Sequence, residues 1–291
     1  MRCLVTGGLG FIGSHLVKRL IELGHSVDIL DDSSNAVMKD SVAWSAWTFA
    51  RDIALYANLP HQSMEEYEWV FHLAAISRTV WAIDDPARCV DVNVRGSVNV
   101  LKSLSVHNPK ARVVLASSNI VYGSPNPYRA SKLAMEEYMS AYNELYGLNC
   151  IALRYSNVYG PGMRWDDPIC LAAMRRSMVE KGYIELTGDG TQSRDFTHVH
   201  DIVEGTILAA QAEYKGVVDL TSGHHRTLID MARLFGCKIS VIPDRPGDTK
   251  HIWQFPERAA HQLLGWRPSQ CYLPEVGIRD VLSEIPQEVR A

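Results

Sequence analysis

Residues Arg2 to Leu16 read RCLVTGGLGFIGSHL. The first five, Arg2–Thr6, form a short apolar run of strand character, and a helical pattern follows over Phe11–Leu23. Ile12, Leu16, Leu20 and Leu23 fall on one face of that helix. Between strand and helix stand Gly7, Gly10 and Gly13. Glycines there permit a tight turn, close approach of backbone to a pyrophosphate and close packing of helix on strand. The free amides of the helix N-terminus then face the phosphates. Glycines alone often only make turns. Here the preceding strand, the following helix and an aspartate closing a second strand supply the required context, so the stretch predicts a dinucleotide site. That aspartate, Asp31, would accept hydrogen bonds from the adenosine ribose and repel a 2′-phosphate, favouring NAD over NADP. The competing reading makes Asp31-Asp32-Ser33-Ser34 a solvated turn.

Outward from this stretch, short apolar runs alternate with longer amphipathic ones. Ser26–Leu30, Trp69–Ala74, Arg112–Ala116 and Asn149–Tyr155 read as strands, with long helices over Pro86–Val106 and Pro127–Tyr146. Fully apolar strands alternating with helices predict a parallel, doubly wound α/β sheet of Rossmann type, covered on both faces. After residue 156 glycine and proline increase and the elements shorten, with helices near Pro168–Lys181, Asp201–Ala212, Leu228–Phe235 and Pro256–Leu264. Residues 1–155 are thus expected to form the NAD-binding domain and 156–291 a smaller mixed α/β lobe, with the chain free to cross back. The site should lie between them, at the carboxyl edge of the sheet.

The 291 residues suffice for a large core, and 46% hydrophobic with 21% charged residues is ordinary for a globular protein. A net charge of −4 offers no basic surface for nucleic acid or anionic membrane. Six scattered cysteines without a CxxC pair favour reduced thiols, hence a cytoplasmic location, over disulfides or a zinc site. The opening strand leaves no room for a signal peptide, and no apolar run approaches a membrane span. The histidines of HVHD (His198, His200) and the pair His224-His225 lack a third ligand at metal-like spacing, so no metal is expected.

The stretch Leu115–Tyr138 reads LASSNIVYGSPNPYRASKLAMEEY. Tyr128 and Lys132 stand four residues apart, on one helix face. A neighbouring ammonium would favour the phenolate, which could then take a proton from a substrate hydroxyl. A surface pair on an ordinary helix is the alternative, but no other tyrosine of the twelve has lysine at +4.

These motifs together resemble the extended short-chain dehydrogenase/reductases, and within them the NAD-dependent nucleotide-sugar epimerase/dehydratase family. Beyond the Gly motif and YRASK, the resemblance rests on Asp52-Ile53, HLAA at His72–Ala75, Asn93, RYSNVYGPG at Arg154–Gly162, GDGTQSRDFTHVHD at Gly188–Asp201 and DRPGD at Asp244–Asp248. It implies NAD held by Gly7, Gly10, Phe11, Ile12, Gly13, Asp31, Asp32, Asp52, Ile53, Leu73, Ala74, Ala75, Asn93, Tyr128, Lys132 and Tyr155. It implies a UDP-sugar substrate held by Ser118, Asn157, Arg194, Arg245, Asp248 and Ile252, the arginines acting as forks for the diphosphate. Ser118, Tyr128 and Lys132 carry catalysis in this reading. Ile252, where relatives that reject N-acetyl groups have a bulky tyrosine, implies tolerance of N-acetylated sugars. A homodimer through the helices at 86–106 and 127–146 is likewise implied.

The segment between Ser118 and Tyr128 is over a dozen residues shorter than relatives have, yet ten residues still span up to ~33 Å. The shortening is expected to leave the site more open. Relatives that eliminate water carry Asp-Glu after the catalytic serine, and decarboxylases carry Glu at the second position; here Asn119 and Ile120 cannot supply a proton. A 4-epimerase, acting through a transient ketone, is the expected function. Its rivals are a net oxidoreductase that exchanges NAD(H) with solvent, and a non-catalytic nucleotide-binding protein.

Overall fold

A computed structural model describes residues 1–37, 46–243 and 258–285. The chain opens with β1 (Arg2–Thr6), α1 (Phe11–Glu22), β2 (Ser26–Asp31), β3 (Ala46–Ala50) and β4 (Trp69–His72). Then come α2 (Thr79–Asp84), α3 (Pro86–Cys89), a π-helical stretch Val90–Gly96 and α4 (Ser97–His107). β5 (Arg112–Ser118), α5 (Pro127–Tyr146), β6 (Asn149–Tyr155) and β7 (Asn157–Tyr159) follow. The remainder comprises α6 (Cys170–Lys181), β8 (Tyr183–Thr187), β9 (Ser193–His198), α7 (Val199–Gln211), β10 (Gly216–Leu220), β11 (His225–Thr227), α8 (Leu228–Arg233), β12 (Lys238–Ile242), α9 (Arg258–Leu264) and α10 (Pro274–Ser283).

Seven strands form one parallel sheet in the order β10-β6-β5-β4-β1-β2-β3. The order in which strands are added reverses between β1 and β4, and a cleft lies beyond the carboxyl ends of these two strands. Successive strand residues serve opposite faces. Val5, Ile29, Phe71, Val114 and Ile151 pack with Leu16 and Leu20 of α1 and Ile202 and Val203 of α7. Leu4, Leu30, Val70, Val113 and Ala152 pack with Leu101 and Leu104 of α4 and Met135 and Met139 of α5. Burial on both faces explains why the strand interiors carry apolar residues on both sides, each large side chain contributing about 1.5–3 kcal/mol.

The chain does cross back. After β7 it builds a smaller lobe from a three-stranded and a two-stranded sheet, but α7 covers the main sheet and β10 pairs with β6 at its edge. Arg112 marks this return: its guanidinium donates to the Ala209 and Tyr214 carbonyls and to Asn149. A cation thus satisfies the otherwise unpaired carbonyls near the C-terminus of α7.

One predicted helix differs in kind. The segment expected as a single helix over 86–106 is α3, a π-helical stretch and α4 in succession. Among the described residues, Asn93 in the middle of the wide turn is 1% exposed and bonds both backbone groups of Ile76.

Candidate active site

The glycine turn after β1 forms the floor of a cleft. Gly7 has φ +72°, and a Cβ there would come within 2.6 Å of the Ala74 amide nitrogen. A Cβ on Gly13 would stand 2.1 Å from the Gly7 carbonyl oxygen. The turn is therefore closed tightly enough to exclude side chains, leaving the cradle shape a diphosphate needs. Gly10, Phe11 and Ile12 line the same cleft, as do Leu73, Ala74 and Ala75 beyond β4.

At the end of β2, Asp31 accepts from the Leu9 amide at 3.0 Å and the Ser33 amide at 2.8 Å. Burial raises its carboxyl above the ordinary range, and those two bonds oppose the rise. The aspartate shapes its turn and also lines the cleft, and at 8% exposure it is not the solvated residue of an open turn. Asp32 and Asp52 lie nearby, bridged by Arg88 at 3.5 and 2.7 Å. Ile53 follows, lining the cleft while its side chain packs on Gly96. These groups fit a dinucleotide: a glycine cradle for its diphosphate, a carboxylate for its ribose and an apolar wall.

Ser118 ends β5 and its hydroxyl accepts from the Ile120 amide at 3.3 Å, starting a 3-10 turn over Asn119–Tyr122. Four residues later Asn126 caps α5 by accepting from the Arg129 amide at 2.9 Å, with Pro127 in the first turn. Arg129 in turn donates from Nε to the Val121 carbonyl at 2.9 Å. The ten-residue spacing is thus one tight turn plus one helix cap, and it brings Tyr128 and Ser118 to the wall of the same cleft. Lys132 lies one helical turn on, its Nζ donating to the Ala116 carbonyl at 2.6 Å. The shortened segment does not expose these residues: Tyr128 is 9% and Lys132 4% exposed.

Burial raises the Tyr128 phenol above its ordinary value and pushes the Lys132 ammonium down to about 8. The nearby Arg78 cation and the Ser118 hydroxyl oppose the rise at Tyr128 without cancelling it. Arg78 was not foreseen from the sequence. It follows HLAAIS at the carboxyl end of β4, where functional groups of such sheets gather, and that position is the signal that marks it. Its guanidinium grips Asp167 through two 2.6 Å bonds. A second feature of the cleft wall is the Asn119 side-chain nitrogen, buried with no hydrogen-bond partner among the described residues.

The other expected residues divide. Tyr155 and Asn157 line the cleft, with the Tyr155 hydroxyl turned to Thr206 at 2.8 Å. Asn93 stands one layer behind: besides Ile76 it bonds Ser131 at 2.9 Å, so it supports the wall rather than forming it. Arg194 sits on β9, bonds the Ser193 carbonyl and lies near the Cys170 thiol at the start of α6. It is absent from the residues described as lining the cleft. Arg245, Asp248 and Ile252 lie outside the described residues. His198 caps α7 by accepting from the His200 amide, and no cluster of three metal-binding side chains occurs among the described residues.

The family model described as "NAD dependent epimerase/dehydratase family" matches residues 3–220. A UDP-glucose 4-epimerase of Lacticaseibacillus casei is 32% identical, over 92% of this chain and 92% of its own. A UDP-N-acetyl-alpha-D-glucosaminuronate decarboxylase of Bacillus cytotoxicus is 31% identical, over 80% of this chain and 78% of its own. Among solved structures, a UDP-N-acetylglucosamine 4-epimerase of Methanobrevibacter ruminantium, in complex with UDP-N-acetylmuramic acid, superposes with TM-score 0.88. It shares 26% identity and covers 98% of this chain and 99% of that one.

Proposed function

This chain belongs to the NAD dependent epimerase/dehydratase family, and from that premise we propose that it is a UDP-sugar 4-epimerase. The observation that carries this is the convergence of Ser118, Tyr128 and Lys132 in the cleft whose floor is the glycine turn. Asn119 and Ile120 occupy the two positions after Ser118 and hold no ionisable proton, which disfavours elimination and decarboxylation.

In this reading Gly7, Gly10 and Gly13 hold the diphosphate of NAD, Asp31 its adenosine ribose and Lys132 its second ribose. When bound, NAD accepts the C4 hydrogen with its electron pair and later returns it. Tyr128, as phenolate, takes the proton of the sugar 4-hydroxyl while Ser118 bonds the same oxygen, and C4 becomes a ketone. Return of the proton from Tyr128 to the opposite epimer closes the cycle. Burial of Tyr128 and Lys132 keeps bulk water from this proton path. Asn157, Arg194 and Arg245 would hold the diphosphate of the sugar nucleotide, with Asp248 beside them. Tolerance of N-acetylated sugars rests on Ile252.

The test is a proton NMR time course with UDP-galactose and UDP-N-acetylgalactosamine and no added cofactor. Conversion of both to gluco isomers supports epimerisation with retained NAD. A need for stoichiometric NAD(H) supports the oxidoreductase alternative instead. Tyr128→Phe should lose about 10²–10⁴-fold in turnover, and a near-normal rate would sink the mechanism.

A homodimer and a cytoplasmic location complete the proposal. Val106, Tyr138, Leu145 and Tyr146 on α4 and α5 are exposed apolar residues of the helices implicated in pairing. All six cysteines are free thiols, in keeping with a reducing compartment. Sedimentation as a monomer at micromolar concentration would refute the pairing.

A further inference from the structure

We propose that the segment from Gly162 to Asp167 is a strap across the cleft, clasped at both banks, that retains the dinucleotide from one turnover to the next. The proposal deepens the reading of an NAD that is regenerated in place, and it rests on that reading.

The strand order places β1 between β4 and β2. The glycine turn, where the diphosphate would sit, therefore has one bank at the end of β2 and another at the end of β4. Asn35 stands on the first bank, and its loop is tied back to the glycine turn by the Val37 amide donating to the Leu9 carbonyl at 2.8 Å. Arg78 stands on the second bank. The strap reaches both. Arg164 Nη1 donates to Asn35 Oδ1 at 2.6 Å, and Asp167 accepts from Arg78 Nε and Nη2 at 2.6 Å each. All four of these residues line the cleft. The centre of the Trp81 ring lies 6.0 Å from each guanidinium, so the two clasps converge on one indole at the cleft wall. The span is right as well. Strands about 4.8 Å apart put the ends of β2 and β4 about 10 Å from one another, and the three steps from 164 to 167 cover about 10 Å.

The root of the strap is fixed more firmly than its clasps. Arg175 of α6 donates to the Met163 carbonyl at 2.6 Å and pairs with Glu284, which also accepts from the Gly162 amide at 2.6 Å. The Pro161 carbonyl accepts from His15 Nε2 of α1 at 2.9 Å. The Arg175 side chain is 4% exposed, against 24% for Arg164 and 22% for Arg78, so water competes at the clasps more than at the root. The half of the cleft assigned to the sugar nucleotide lies outside the strapped span, since Ser118 ends β5 and Asn157 opens β7 after β6. A sugar nucleotide can thus exchange while the strap stays closed over NAD. That arrangement suits an enzyme that regenerates its cofactor in place, not one that must release it at every turnover.

The test loads the protein with fluorescent etheno-NAD and follows its release on chasing with excess NAD, with association measured by stopped flow. Asn35→Ala opens one clasp without stranding a charge, because Asp166 still holds Arg164 through bonds of 2.8 and 2.6 Å. It should speed release about tenfold, as expected for losing one hydrogen bond to a charged group. Arg78→Met combined with Asp167→Asn opens the other clasp and should speed release at least as much. The clasps join protein to protein, so association should quicken too. Unchanged release in Asn35→Ala overturns the proposal. Faster release with unchanged association also overturns it, since that marks a lost contact to the cofactor itself. Should the double variant not fold, Asn35→Ala decides alone. Nucleotide exchange is read directly, so the strap is decided whether or not UDP-galactose is epimerised. A parent protein that takes up no NAD would refute the cofactor reading together with the strap.

Discussion

The Lys132 ammonium donates to the Ala116 carbonyl at 2.6 Å, so this buried lysine is bonded to the end of β5. Burial brings its pKa from 10.5 down to about 8. Between these values the unfolded chain binds more protons than the folded one, so this group makes stability rise with pH from about 8 to 10.5. Below about 8 the full cost of burying the cation is present. Melting temperature followed across this interval should rise less in Lys132→Met than in the parent protein. Parallel curves would contradict the buried ammonium.

Gly13→Ala should damage both fold and cofactor binding. Its Cβ would meet the Gly7 oxygen at 2.1 Å and the Gly8 Cα at 2.8 Å, all backbone, so the turn itself must move. We expect a loss of about 1–3 kcal/mol and at least tenfold weaker NAD binding. Gly10→Ala, whose Cβ would stand 3.3 Å from the Gly7 oxygen, should melt close to the parent. Thermal melts and NAD titration by calorimetry separate the two, and equal melting of both variants would refute the distinction.

Glu136 anchors the strand that ends in Ser118. It accepts from Arg154 at 2.9 and 2.6 Å and from the Ser117 hydroxyl, while Arg154 also donates to Tyr122. Glu136→Ala leaves Arg154 largely buried without its carboxylate and should cost about 3–5 kcal/mol. Ser117→Ala removes one charge-assisted bond and should cost about 1.5–3 kcal/mol. Denaturant unfolding of both variants tests the order; a Ser117 variant less stable than the Glu136 variant would reverse the assignment.

Acid should destabilise the protein through two buried histidines. His72 lies between the Thr6 hydroxyl at 2.7 Å and the Ser97 hydroxyl at 2.9 Å, and burial holds its pKa at about 3. His198, stacked on Tyr272, is likewise pushed down to about 3. Between about 3 and the ordinary 6.5 the unfolded chain binds protons that the folded one refuses, so stability falls as pH drops through that window. His72→Gln should melt with a shallower slope between pH 6.5 and 4 than the parent. An unchanged slope would show that His72 is protonated in the folded protein.

What could be read from the sequence were features that short-range spacing encodes. The turn at Gly7, Gly10 and Gly13 and the spacing of Tyr128 and Lys132 lie within single turns or helices. Strands with apolar residues on both faces likewise announced a sheet covered on both sides, because burial leaves that pattern in the chain. The reach from Ser118 to Tyr128 also followed from chain length alone.

Other features are set by how distant segments pack. Arg78 finds Asp167 across 89 residues, and neither position carries a local pattern that names the other. Asn93, expected at the cofactor, instead supports Ile76 from behind, because a π-helical turn directs it there. α7 and β10 return to the first sheet although composition places them in the second lobe. The sequence determined the glycine turn after β1 and the placing of Tyr128 and Lys132 on one helix face, which depend on local dihedrals and periodicity. The tertiary structure alone decided that Arg78 pairs with Asp167, since that depends on segments 89 residues apart meeting at one cleft.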